Sequence, residues 1–129
     1  MCKRGEIWWA NIPKQENSRV QSGVRPVLII ANNKATKHSP VFQCVPLTTV
    51  IKKTELPTHV ILTSGNLDKK TMALVEQTGL INSSDLKEKI GNISVRDMIE
   101  IEDAIAVQFG MENFIYRIMN KFRALNAAS

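Results

Sequence analysis

SGVRPVLIIANN, residues 22–33, sets five apolar residues in a row, Val27 to Ala31, behind a proline and ahead of two asparagines. So short and β-branched a run reads as a central strand buried on both faces. Pro26 fits only near the start of that strand, where its missing N–H is tolerable. Arg25 then stands at the strand's mouth. It is either an ordinary positive cap on a loop or a charge the molecule presents.

Working outward, GEIWWANI (residues 5–12) has the aromatic and β-branched content of a strand, and PKQENSRVQSG (residues 13–23) is a polar, turn-rich loop carrying Arg19, Gln21 and Ser22. PVFQCVPLTTV (residues 40–50) reads as a third strand, with an edge, bulge or early bend expected at Pro46. THVILT (residues 58–63) and TMALVEQT (residues 71–78) are the fourth and fifth strands, joined by the turn SGNLDKK (residues 64–70). Short strands at such close spacing predict a small, strongly curved barrel.

Helical periodicity comes late. In SVRDMIEIEDAIAVQFG (residues 94–110), Ser94 caps with Asp97 at the third helical position, and Met98, Ile101, Ile105 and Phe109 form one apolar face before Gly110. SSDLKEKIGN (residues 83–92) predicts a shorter helical turn ahead of it. In the tail, residues 111–129, Phe114, Ile118, Phe122 and Leu125 share one face with Ile115 and Met119 beside them, while Arg117, Lys121 and Arg123 lie elsewhere. A basic amphipathic helix of this kind packs on its own domain or a second subunit, or meets a membrane or another partner. The plainer reading is packing within the molecule or its dimer. The expected organisation is one domain over residues 1–129, with 112–129 as an amphipathic helical extension.

At 129 residues the chain has one domain's worth of core. MCKRGEIWW turns charged and then aromatic at once, unlike a signal peptide, so a soluble, cytoplasmic protein is expected. Cys2 and Cys44, with His38 and His59, fall in no recognised metal spacing, and neither a disulfide nor a metal site nor any cofactor is signalled. The net charge of +5 is uneven: residues 1–60 hold Lys3, Arg4, Lys14, Arg19, Arg25, Lys34, Lys37, Lys52 and Lys53 against Glu6, Glu16 and Glu55. Clustered positive charge of this kind suits an anionic partner, although a basic face can also be merely solvated.

No nucleophile elbow, phosphate-binding glycine loop or dinucleotide motif occurs. His59, alone among strand residues, is more simply structural than catalytic. Glu6, Glu55 and Glu76 read as surface or turn residues, with Glu76 the least comfortable because its neighbours alternate around it. What remains is Arg25 after a glycine-bearing loop, Thr48 and Thr49 at one strand end, Gln77 at another, and Lys52 and Lys53 just past the threonines. If these strand ends converge, they form a concave site with a positive floor. A phosphodiester suits it, because a guanidinium fork matches two phosphate oxygens and a hydroxyl adds one more hydrogen bond. Each residue also has an ordinary structural explanation.

These same residues make the chain resemble the MazF/PemK-type toxin endoribonucleases of bacterial toxin–antitoxin pairs. The likeness runs through KRGEIWWANI, GVRPVLIIANN, PLTT, KKTELPTHVIL and ALVEQTGLI to FGM, in order, over roughly residues 3 to 111. The resemblance implies a mainly β, small SH3-like barrel with appended helices, acting as a homodimer. It further implies metal-independent cleavage of single-stranded RNA at a short preferred sequence, and inhibition by a cognate antitoxin whose disordered part folds over the RNA groove. In this likeness Arg25 and Thr48 match the essential arginine and threonine. The implied chemistry is attack of the ribose 2′-OH on the adjacent phosphate, giving a 2′,3′-cyclic phosphate and a 5′-OH end. RNA contacts are expected from Gln21, Ser22, Thr49, Lys52, Lys53 and Gln77, with Leu56, Pro57 and Thr58 as walls of a base pocket.

The chain departs from its likeness in two respects. Typical members end near FGM, whereas this one continues through the amphipathic tail, and its first loop has few aromatic residues for base stacking after Trp9. The same fold also serves toxins that poison DNA gyrase through C-terminal, often aromatic residues. Fold alone therefore does not separate the two activities.

Overall fold

The computed structural model describes residues 2–17, 21–111 and 113–127, without the side chains of Phe114 and Ile115. Arg19 lies outside the described residues. Seven antiparallel strands, β1 (Glu6–Ile12), β2 (Gly23–Ile29), β3 (Val41–Thr48), β4 (His59–Ile61), β5 (Met72–Leu74), β6 (Gly79–Asn82) and β7 (Leu86–Asn92), make up most of the core. Three helices accompany them: α1 (Asn33–His38), α2 (Val95–Gln108) and α3 (Phe114–Ala127). The strands run β4-β5-β3-β2-β1-β7, with β6 also paired to β3.

Strand β3 belongs to two sheets. On one side it pairs β2 from Ile29↔Cys44 to Val27↔Pro46. On the other its first half, Val41 to Cys44, pairs β6, and its last two residues, Leu47 and Thr48, pair β5. Pro46 falls in the interval between those two partners, where a strand tolerates a missing donor. The bend expected there is thus a change of sheet, and it curls the molecule into a small barrel.

The apolar run of β2 is buried on both faces, as its composition requires. Leu28 and Ile30 join Ile7, Val45, Leu47, Val60, Ala73 and Val75 in one cluster, over which α2 lays Ile101 and Ala104. Val27, Ile29 and Ala31 join Ala10, Phe42, Cys44 and Ile81 in the other. Helix α2 starts as expected, the Ser94 hydroxyl accepting from Asp97 N–H at 3.1 Å. Asp97 itself is buried, and accepts from Thr63 N–H (2.9 Å), the Thr63 hydroxyl (2.7 Å) and the Ser64 hydroxyl. One carboxylate therefore ties the helix to the loop after β4.

Three expectations need correction. The fifth strand does not run through residue 78: it stops at Leu74, and Val75–Gln77 form a 3₁₀ turn before β6, a strand the sequence reading had not separated. Residues 83–92 hold a helical turn only at Ser83–Asp85; Leu86–Asn92 is a strand. Its pairing with β1 shifts register twice, between Ile7 and Trp8 and again between Trp8 and Ala10, so its apolar residues lose the alternation that marks a strand. Gly91 in this strand allows close approach, since a Cβ there would run into the backbone of Gly65. Phe109 does not continue the buried stripe of α2: it caps the helix end and is 61% exposed.

Helix α3 exposes the apolar side chains described along it. Tyr116, Ile118, Met119, Phe122 and Leu125 are all exposed.

Candidate functional site

Arg25 is brought to its position by Gly23, whose φ of +85° turns the chain out of the first loop and into β2. Within β2, Arg25 pairs with Ala10 of β1. On the other side the β2–β3 ladder ends at Val27↔Pro46, and the same register carried two residues further sets Arg25 opposite Thr48. Alternation of strand side chains puts Arg25, Val27, Pro46 and Thr48 on one face of the sheet. The two residues singled out from the sequence thus lie just past the same end of the β2–β3 ladder, on one face.

Their hydrogen bonding leaves both able to receive an anion. The Arg25 Nε–H donates to the Ser22 carbonyl at 3.0 Å, which fixes the guanidinium and leaves its two terminal NH₂ groups for a ligand. Among the described residues no carboxylate pairs with it. The Thr48 hydroxyl oxygen accepts from Val50 N–H at 3.1 Å, so its own hydrogen remains available for donation. Thr48 is buried, whereas Thr49 beside it is exposed. Such an arrangement holds a tetrahedral anion by a charged fork and one hydroxyl.

On the same face a cleft of about 210 Å³ is lined by Ile12, Gln15, Gln21, Pro46, Glu76 and Gln77 among others. The Gln77 side-chain oxygen accepts from Gln21 N–H at 2.9 Å, stitching the first loop to the 3₁₀ turn. Gln21 and Gln77 line this cleft together and the Ser22 carbonyl holds Arg25, while neither Arg25 nor Thr48 lines the cleft itself. Gln77 sits in that turn rather than at a strand end.

Lys52 and Lys53 are exposed on the loop between β3 and β4. Leu56 and Pro57 lie apart from the cleft above. They line a second one, against α2, with Glu55, Arg96, Glu100 and Asp103, and the two clefts share no lining residue. Thr58 lines neither cleft. Four carboxylates, those of Glu55, Asp97, Glu100 and Asp103, make the second cleft a poor bed for phosphate.

The sequence reading missed the hydrogen-bond link between His59 and Glu76. His59 Nε2 lies 2.8 Å from a Glu76 carboxylate oxygen, while Nδ1 faces the carbonyls of Lys52 (3.2 Å) and Lys53 (3.0 Å). The signal was present in the unease over Glu76, an acid in an apolar context. Its partner was not readable, because the two lie 17 residues apart. Cys44 is no rival nucleophile: it is buried, and burial pushes its thiol up to about 12, far from thiolate at neutral pH.

Comparison with known proteins bears on the family and the fold. The sequence pattern of PemK-like, MazF-like toxins of type II toxin–antitoxin systems matches residues 3–109. The chain is 36% identical to the endoribonuclease MazF of Staphylococcus epidermidis over 116 residues, 88% of this chain and 96% of the relative. It is 34% identical to the endoribonuclease MazF of Staphylococcus saprophyticus over 113 residues, 86% and 93% of the two chains. Among solved structures, MazF from Deinococcus radiodurans superposes with a TM-score of 0.73 at 20% identity, covering 85% of this chain and 97% of its own. A mycobacterial endoribonuclease in complex with its cognate antitoxin gives 0.72 at 21% identity, with 86% and 97% covered. These structures share the fold, a mainly antiparallel sheet with C-terminal helices.

Proposed function

Since the chain belongs to the PemK-like, MazF-like toxin family of type II toxin–antitoxin systems, we propose that it is an endoribonuclease toxin, neutralised by a cognate antitoxin, that cuts single-stranded RNA in the cytoplasm at a short preferred sequence. The whole of residues 1–129 acts as one toxin domain, with 112–129 as its helical extension. The observation that carries this reading is Arg25, whose guanidinium meets no carboxylate among the described residues and which lies, like Thr48, just past the same end of the β2–β3 ladder.

In the cleavage step the ribose 2′-oxygen bonds to the adjacent phosphorus and the bond to the 5′-oxygen breaks, leaving a 2′,3′-cyclic phosphate and a 5′-OH. Negative charge grows on the phosphoryl oxygens as this happens. Arg25 answers it with its two terminal NH₂ groups, and Thr48 donates one hydrogen bond to the same phosphate. An arginine side chain stays protonated in proteins, so Arg25 acts by charge and not as the base. Gln21, Ser22, Thr49 and Gln77 contact the strand around the scissile phosphate, and Lys52 and Lys53 steer its backbone. Leu56, Pro57 and Thr58, on the same loop as the two lysines, take part in choosing the base through the position of that loop.

The protein works as a homodimer, with the exposed apolar residues of α3 meeting a second copy. The deciding experiment is digestion of a long single-stranded RNA in EDTA by wild type and Arg25→Ala, with end-group analysis. Discrete cuts by wild type alone, ending in 5′-OH and cyclic or 3′-phosphate, support the reading. No cuts in any of several RNAs would overturn it. Weight would then pass to a second reading, gyrase poisoning through protein binding, which draws on the exposure of Tyr116 and Phe122 on α3.

A further inference from the structure

We propose that His59 and Glu76 form a positioning clamp that fixes the β3–β4 loop against the 3₁₀ turn carrying Gln77, and so sets which RNA sequences the site accepts. The inference rests on the ribonuclease reading above. It concerns residues that bear no catalytic role in that reading.

His59 stands at the first position of β4, paired with Leu74, the residue just before the turn. Its side chain is 8% exposed and that of Glu76 34%, so the imidazole is shielded while the carboxylate keeps contact with water. The imidazole, carrying a proton on each nitrogen, spans two segments: Nδ1–H donates to the carbonyls of Lys52 and Lys53, and Nε2–H to the Glu76 carboxylate. The clamped loop is also wound tightly. Leu56 N–H donates to the Lys53 carbonyl at 3.1 Å, and His59 N–H to the Leu56 carbonyl at 3.0 Å. Lys53 adopts a φ of +50°, a left-handed conformation that an L side chain leaves when nothing holds it. The groups holding it are those of His59 and Leu56, since both donate to its carbonyl.

The other end of the clamp reaches the site. Gln77, next to Glu76, accepts from Gln21 N–H. Val75 N–H donates to the Thr58 carbonyl at 3.0 Å. One three-residue turn therefore joins the first loop, with its Gln21 and Ser22, to the second loop, with its Lys52 and Lys53. A change in the His59–Glu76 contact shifts one set of RNA contacts relative to the other. It leaves Arg25 and Thr48, held by strand register, where they were.

The test uses the full chain and compares wild type with His59→Ala, Glu76→Ala, the double variant and Glu76→Gln. RNA cleavage is mapped on one long transcript, and kcat and KM are measured on a short substrate containing the preferred site. Each single alanine variant should raise KM about tenfold, as expected for loss of a hydrogen bond to a charged group. Each should add cuts at sites the wild type spares and leave kcat within about twofold. The double variant should be no worse than either single one, and Glu76→Gln, which keeps an acceptor, should stay close to wild type. Unchanged cleavage sites and KM in His59→Ala would overturn the proposal, as would a loss confined to kcat.

Amide hydrogen exchange over residues 50–58 reads the clamp without RNA, and should quicken in both alanine variants while residues 24–29 of β2 keep their protection. Unchanged exchange in the loop would also overturn the proposal, whereas a quickened loop in a protein that cuts no RNA would sink the ribonuclease reading and leave the loop-positioning contact standing.

Discussion

Truncating Arg25 to Ala removes a guanidinium that makes one hydrogen bond within the fold, to the Ser22 carbonyl. The expected product is a folded protein whose RNA cleavage falls at least about a hundredfold, the scale of losing a preorganised anion-stabilising donor. Circular dichroism and an RNA cleavage assay read the two halves of that statement. Thr48→Ala should cost less, about tenfold, since one neutral hydrogen bond is lost; an unfolded product would show instead that the hydroxyl serves the strand end. Asp97 governs stability rather than chemistry. Burial alone would raise its pKa, but the hydrogen bonds from Ser64 and Thr63 outweigh it and hold the carboxyl below its ordinary value. A carboxyl with a lowered folded pKa contributes stability fully above its unfolded value of about 4, and that contribution is lost as pH falls through the folded pKa. Urea unfolding of wild type should therefore weaken on passing below about pH 4, and Asp97→Asn should show a shallower pH dependence there and lower stability at pH 7. At this scale the sequence was informative about single residues but silent on pairs: Ser94 and Asp97 announce their cap, while nothing local tells that Asp97 also holds Thr63 and Ser64.

Among the elements, strands with a continuous or alternating apolar pattern were readable, and those whose pattern is interrupted were not. β2 declares itself because both its faces are buried. β7 does not, because its two register shifts against β1 leave Leu86 and Ile90 four residues apart, the spacing of a helix. β6 escaped notice because Val75 continues the apolar run of β5 into the 3₁₀ turn, and the four residues of β6 follow directly after Thr78. The tail helix tests the same distinction from the other side: its apolar stripe is as clear as that of α2, yet among the described residues Ile118, Met119, Phe122 and Leu125 of that stripe are exposed. Deleting residues 112–129 should therefore leave the unfolding of the separated monomer nearly unchanged and weaken self-association, which sedimentation velocity across a concentration series would measure. An unchanged association constant would exclude α3 from the dimer contact.

For the whole molecule, the separation of charge along the chain becomes a property of binding. The basic first half of the sequence supplies the exposed lysines beside the site as well as Arg25, so RNA affinity should fall with added salt at a slope of about −0.7 per phosphate contacted. Replacing Lys52 and Lys53 together by Ala should flatten that slope by roughly one contact or more and weaken all RNA sequences alike, in contrast to the altered selectivity expected of His59→Ala. Fluorescence anisotropy with an Arg25→Ala background and several RNA oligonucleotides separates the two effects. The sharing of β3 between two sheets has a consequence for the chain's own synthesis. Arg25 and its neighbours in β2 can pair with β3 as soon as both are made, but Thr48 is seated by Met72, which the ribosome adds about two dozen residues later. At ordinary elongation rates of about 5–20 residues per second that is a delay of about one to five seconds. During it the nascent chain has its arginine and lacks its threonine's final place, so the strand end that carries Thr48 is completed only when the distal sheet has formed.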